Sequence, residues 1–111
     1  MAEELKLSQK SYDFCQWLFN HTEKFPKSRR FSMAVRIENL FLDFLELVSL
    51  AGYRKNKLPL LQKADEQLFR LRLLVRLSHD MKLINTGSYE FAANGLDELG
   101  RMLGGLMKKS S

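Results

Sequence analysis

Residues 33–51 read MAVRIENLFLDFLELVSLA, and the fold turns on how their apolar positions are spaced. Met33, Ile37, Leu40, Phe44, Leu47 and Ala51 recur at 4-3-4-3-4 intervals, the signature of one face of an α-helix. Ala34, Phe41, Leu45 and Val48 form a second row beside the first. An apolar surface this wide exceeds the single stripe that a peripheral helix of a small monomer carries. Either this helix is central, or one of its faces is covered by another copy of the chain. The spacing predicts a helix from about Phe31 to Ala51, stopped by Gly52.

Working outward, three further helices can be read. Phe14, Leu18 and His21, with Trp17 beside them, place one over residues 11–24, and Phe25-Pro26 ends it because a residue before proline is pushed out of helical geometry. Beyond the loop GYRKNK, Pro59 suits a first helical turn. Leu61, Ala64, Leu68, Leu71, Val75 and Ser78 then line the core side of a helix over residues 58–81, with Leu60, Leu74, Leu77 and Met81 on an adjoining face. Asn85 is the expected N-cap of a last helix reaching Lys108, whose core row is Tyr89, Ala92, Leu96, Leu99, Leu103 and Leu106. Gly95, Gly100, Gly104 and Gly105 are unusual in a helix. Gly100 and Gly104 either let another helix approach closely or mark where the terminal turn frays. Short connections force neighbouring helices to alternate in direction, so the expected fold is all-α, an antiparallel up-down-up-down four-helix bundle. It forms a single domain over residues 1–111 with a short N-terminal tail at 1–10.

The length supports that reading, since two cores cut from 111 residues would each be too small to stand alone. Cys15 is the single cysteine, which rules out an internal disulfide and points to a reducing compartment. The start, MAEELKLSQK, is acidic and has no apolar run, unlike a secretory signal. No run approaches the roughly 18 apolar residues of a membrane span. A soluble, cytoplasmic protein without membrane association is expected.

The net charge of +5 is unevenly placed. Residues 24–37 hold five basic residues and no acid, and residues 54–82 hold eight basic residues against three acids. The rest of the chain is acidic. Positive charge gathered in this way suits a polyanion. Catalytic signatures, by contrast, are missing from the sequence. A di-iron bundle needs Glu-x-x-His pairs, and the residues three before His21 and His79 are Leu18 and Arg76. GRMLGG lacks the Gly-Lys-Ser/Thr ending of a phosphate loop. Cys15 reads as a small packing residue rather than a nucleophile. No enzyme activity, cofactor or metal is expected.

The candidate nucleic-acid-binding residues are Lys27, Arg29, Arg30 and Arg36 around the first proline, Arg54, Lys55 and Lys57 in the loop, and Arg70, Arg72 and Arg76 on the third helix. Arginine presents a planar fork of donors that fits phosphate oxygens. Arg72, Arg76 and His79 share one side of their helix, and Arg70 points elsewhere. The two basic connections should lie at opposite ends of the bundle, and Arg36 with the helical arginines would join them into a stripe. The alternative is that these side chains pair internally, with Asp65, Glu66, Glu38, Asp43 or Glu46.

Three segments carry a resemblance to a known family: FPKSRRFSMAVRIENLFLDFLELVSLAGYRK (25–55), PLLQKADEQLFRLRLLVRLSHDMKLI (59–84) and YEFAANGLDELGRMLGGLMK (89–108). Together they resemble the accessory variability determinant (Avd) of diversity-generating retroelements, a relative of the four-helix proteins encoded in intervening sequences of ribosomal RNA. The most specific pieces are Phe25-Pro26-Lys27 followed by Arg30-Phe31, then RLRLLVRL and GRMLGG. The resemblance implies a basic four-helix bundle that assembles into a homopentamer. It further implies that the protein binds RNA or DNA together with the element's reverse transcriptase and serves mutagenic retrohoming without catalysing a reaction. The other readings are a ribosomal-RNA-associated protein of the same fold and a protein-interaction module whose arginines meet acidic partners.

Overall fold

Helix α1 spans Ala2–Thr22 in the computed structural model, which describes residues 2–111. The tail expected at residues 1–10 is therefore helical from Ala2 onward, and Met1 lies outside the described residues. The buried row of α1 explains the discrepancy. It consists of Glu4, Leu7, Ser11, Phe14, Leu18 and Thr22, so half of its core positions are polar and the apolar rhythm breaks down before Phe14. Two of the polar members are paired: Glu4 accepts a hydrogen bond from Lys57 at 2.5 Å, and Thr22 donates one to Glu38 at 2.5 Å. The Ser11 hydroxyl is buried without a hydrogen-bond partner among the described residues.

After a turn that buries Phe25, the chain is helical from Lys27 to Ala51. This run comprises a short helix α2 (Lys27–Arg29), a π-helical segment (Arg30–Ala34) and helix α3 (Val35–Ala51). Helix therefore begins before Phe31, with Pro26 preceding its first turn. The π segment has a definite effect on what faces the core. Regular α-helical phase would continue the buried row Phe41, Ile37, Ala34 back to Arg30, four residues earlier. The wider π turn rotates that position away. Arg30 instead donates to the Glu23 carbonyl at 3.1 Å, and Phe31 points into solvent.

Helix α3 packs against both α1 and α4, which covers much of its wide apolar surface within the chain. Phe41 and Phe44 are fully buried. Phe41 lies 5.2 Å from the Phe14 ring and 5.5 Å from Phe44, centroid to centroid. Burying each such side chain contributes on the order of 1.5–3 kcal/mol. Helix α4 (Leu58–Asp80) buries Leu61, Ala64, Leu68, Leu71, Val75 and Ser78, the row read from its sequence. It ends in a left-handed residue, Lys82 (φ 63°). The Leu83 amide donates back to the Ser78 carbonyl at 2.8 Å, and the Lys82 amide donates to His79 at 2.9 Å, a Schellman-type ending. Helix α5 (Thr86–Ser110) starts at Asn85, whose side chain accepts from the Ser88 amide at 2.7 Å, as the sequence suggested.

The described residues contain no strand, and the fold is all-α. Ser8 meets Ser49 at 2.8 Å while Thr22 meets Glu38. Lys10 meets Glu98 at 2.8 Å while Trp17 meets Phe91. These pairings are compatible with the expected alternation of helix directions. The molecule measures 43 × 23 × 19 Å. At one end of the long axis, Thr22, Phe25, Ile37, Ser78 and Ile84 line a shared, tightly packed pocket. At the other, Glu4 meets Lys57, and Lys109 pairs with Glu3. We call these the Phe25 end and the Tyr53 end.

Candidate nucleic-acid interface

The two basic connections, residues 24–30 and 54–57, lie at opposite ends, and the environment of each cation separates free charges from engaged ones. At the Phe25 end, Lys27 and Arg29 project from α2 and Arg36 from the first turn of α3, all exposed. None of the three side chains forms a hydrogen bond or ion pair among the described residues. Arg30 spends one amino group on the Glu23 carbonyl. Arg76, near the C-terminal end of α4, is also exposed and without a partner among the described residues. Pro26 and the short α2 keep this run outside the core, so its charges stay hydrated and available.

At the Tyr53 end, Arg54 and Lys55 are exposed and have no partner among the described residues. Lys57 differs. It is half-buried and bound to Glu4, which lies 53 residues earlier in the chain. The Lys57 ammonium holds the Glu4 carboxyl at about 2, well below its ordinary 4.5. A cation held this way serves the joint between α1 and the α3–α4 loop.

The arginines of α4 do not form a continuous stripe between the ends. Arg70 turns toward the α3 side and donates to Gln67 at 3.0 Å. Arg72 turns toward α5, pairing with Asp97 at 2.8 Å and donating to the Leu96 carbonyl at 3.2 Å. Gly100 makes room for it: a Cβ there would fall 2.4 Å from Arg72 Nη2. Close approach thus operates at Gly100, where side chains of the neighbouring helix α4, the Arg72 guanidinium and Leu68, come up against the backbone of α5. Gly104 and Gly105 have open space around them, and α5 continues past both to Ser110. His79 also faces α5, stacked on Tyr89 with centroids 4.4 Å apart. Arg72 and His79 therefore share a side, as expected, but that side is occupied by the neighbouring helix. The acid that engages Arg72 is Asp97, which local sequence could not indicate.

Other chemistry is sparse. Among the described residues no cluster of His, Cys, Asp and Glu could hold a metal ion. Cys15 is half-buried, and burial, with the Glu38 charge adding to it, pushes its thiol up. An open groove between α1 and α5 is lined by Phe14, Trp17 and Phe91, and its rim charges Lys10 and Glu98 are already paired. No described helix is long and apolar enough to cross a membrane.

The fold and site define a small all-α bundle with unpaired cations toward its ends. Comparison with known proteins makes that class specific. A family model described as bAvd-like matches residues 5–110, nearly the whole chain. The protein belongs to the bAvd-like family, an accessory-protein family, in agreement with the resemblance carried by its three sequence segments. No curated protein matches the chain.

Proposed function

We propose that this protein is the non-enzymatic accessory subunit of a diversity-generating retroelement. It acts as a basic homo-oligomeric scaffold of antiparallel up-down-up-down bundles that binds nucleic acid and the element's reverse transcriptase during mutagenic retrohoming. The observation that carries the reading is the set of exposed, unpartnered cations Lys27, Arg29, Arg36 and Arg76 toward the Phe25 end. Internal acids do not neutralise them, so their charge is available to a polyanion. Repetition of this end around an oligomer would multiply individually weak phosphate contacts.

The outward face of α4 supports the oligomer. Phe69, Leu73 and Leu77 form an exposed row there, opposite the buried row of the same helix. A second copy of the chain is the covering partner in this reading, and the family resemblance sets the number at five.

The test is fluorescence anisotropy of a labelled structured RNA across a salt series. Each neutralised phosphate contributes about 0.7–0.9 to the log–log salt slope. The Lys27/Arg29/Arg36/Arg76→Ala variant should therefore lose about three units of slope, whereas Arg72→Ala, which removes a cation already paired, should change it little. The reverse transcriptase of the same element should copurify with the protein. Absence of binding at low salt would sink the nucleic-acid reading.

A further inference from the structure

The two most exposed large apolar side chains among the described residues are Phe31, at 84%, and Tyr53, at 85%; the next, Phe69, is at 70%. Neither is placed by the needs of the core. Phe31 lies within one of the two basic runs and Tyr53 directly before the other, at opposite ends of the molecule. Phe31 follows Arg29 and Arg30 within the first helical turns after Pro26, and Tyr53 immediately precedes Arg54 and Lys55. An aromatic ring held in water costs free energy that a Ser or Lys at the same position would avoid. Charge alone therefore explains the cations but not the rings between them.

The backbone at Phe31 strengthens the point. Its outward heading follows from the π turn at Arg30–Ala34, an irregularity with poorer geometry than a continuous α-helix. At Tyr53, the chain has just left α3, and the amides of Tyr53 and Arg54 still bond back to Leu50 and Ala51 at 3.0 and 3.3 Å. The ring is thus carried on a hydrogen-bonded turn and not on a loose strand. Both aromatics are presented on supported backbone beside unpartnered cations.

Flat rings flanked by cations match the chemistry of an unpaired nucleotide, whose base offers a π face and whose phosphate offers charge. In a duplex the base faces are already stacked on one another and only phosphates are accessible at low cost. We propose that the protein selects single-stranded over double-stranded nucleic acid, stacking bases on Phe31 and Tyr53 while Lys27 and Arg29 at one end, and Arg54 and Lys55 at the other, hold the adjoining phosphates. This rests on the nucleic-acid reading above and adds to it the strandedness of the ligand and the residues that sense it. Ribose and deoxyribose strands share the recognised chemistry.

The test compares labelled oligouridylate and oligothymidylate with an RNA duplex and a DNA duplex of equal length, by anisotropy at one fixed salt concentration. Both single strands should bind more tightly than either duplex. Phe31→Ala and Tyr53→Ala should each weaken single-strand binding by about fivefold to a hundredfold, with duplex affinity and salt slope unchanged, and Phe31→Trp should preserve the preference. A preference for only one of the two sugars would identify the source of the strand. Because both side chains lie outside the core, thermal melts of the variants should match the parent. Equal affinity for single strands and duplexes, unaffected by either variant, would overturn the stacking proposal while leaving charge-driven binding in place. Absence of binding to every probe at low salt would remove both readings. If Phe31→Ala instead lowers the assembled mass in light scattering and weakens all probes alike, the ring belongs to a contact between copies and the proposal fails.

Discussion

Gly95 and Gly104 lie on the same helix, nine residues apart, and the same substitution should move stability in opposite directions at the two. At Gly95 a Cβ would fall 2.5 Å from Phe14 Cε2 and 2.8 Å from Cδ2. Phe14 is buried and packs on Phe41 and Trp17, so its ring cannot swing aside as a surface side chain would. Overpacking of this kind costs about 1–3 kcal/mol, against a gain of up to about 1 kcal/mol from replacing glycine in a helix. Gly95→Ala should therefore destabilise by about 1–2 kcal/mol. At Gly104 a Cβ meets nothing within 4 Å, so only the helical gain remains, and Gly104→Ala should stabilise by about 0.4–1 kcal/mol. Thermal unfolding followed by circular dichroism separates the two, since 1 kcal/mol moves Tm by about 4–8 °C in a domain near this size. Shifts of the same sign would refute the packing argument. A destabilised Gly104→Ala with reduced assembled mass would show that another copy packs against that glycine.

Three further predictions concern the joints of the bundle. Lys82 occupies the left-handed position after α4 without the freedom of glycine, so Lys82→Gly should raise stability by about 1 kcal/mol in denaturant titration; a loss would mean that the Lys82 side chain has a role of its own. For Glu4, a carboxyl whose folded pKa is depressed adds stability that is fully present above its unfolded value near 4.5 and is lost as pH falls toward about 2. Melts of the parent protein should lose more Tm across that interval than melts of Glu4→Gln, and parallel curves would show that the Lys57 contact contributes nothing. At neutral pH, Lys57→Met should cost about 2 kcal/mol, as expected when a charged hydrogen bond to a buried carboxylate is removed.

Much of the bundle could be read from the chain because its central helices obey one rule. Every position assigned to the core row of α4 is buried, including Ser78, and Asn85 caps α5 as its side chain allows. The failures share a cause, which is dependence on partners distant in sequence. Half the buried row of α1 is polar; Glu4 and Thr22 are tolerable because Lys57 and Glu38 meet them, and Ser11 is small enough to be packed without a partner. The π turn is invisible to a periodicity argument, since Ala34, inside it, still keeps α-helical spacing with Ile37 and Phe41. For the candidate site, residue type indicated which side chains could bind a phosphate, but not which were already occupied. Arg72 and Lys57 look as available in sequence as Arg29 and Arg54. Rotation of α4 against α5 engages the former, and the fold of α1 over the loop engages the latter.

The π turn also means that the basic tip and the core answer to different alignments. On the C-terminal side of Ala34 the side chains keep step with the bundle; on the N-terminal side they follow a separate phase, joined through one loosened turn. Shortening Arg30–Ala34 by one residue would restore α-helical winding and leave the heading of the tip nearly unchanged, because the wider turn absorbs one residue. Rewinding the same five residues as α-helix would instead swing the tip by about 100°, while Ile37, Phe41 and Phe44 stayed in place. The heading of the tip is thus set by how that one turn is wound. A turn that widens in this way can take up an extra residue without disturbing the core on one side or the charges on the other.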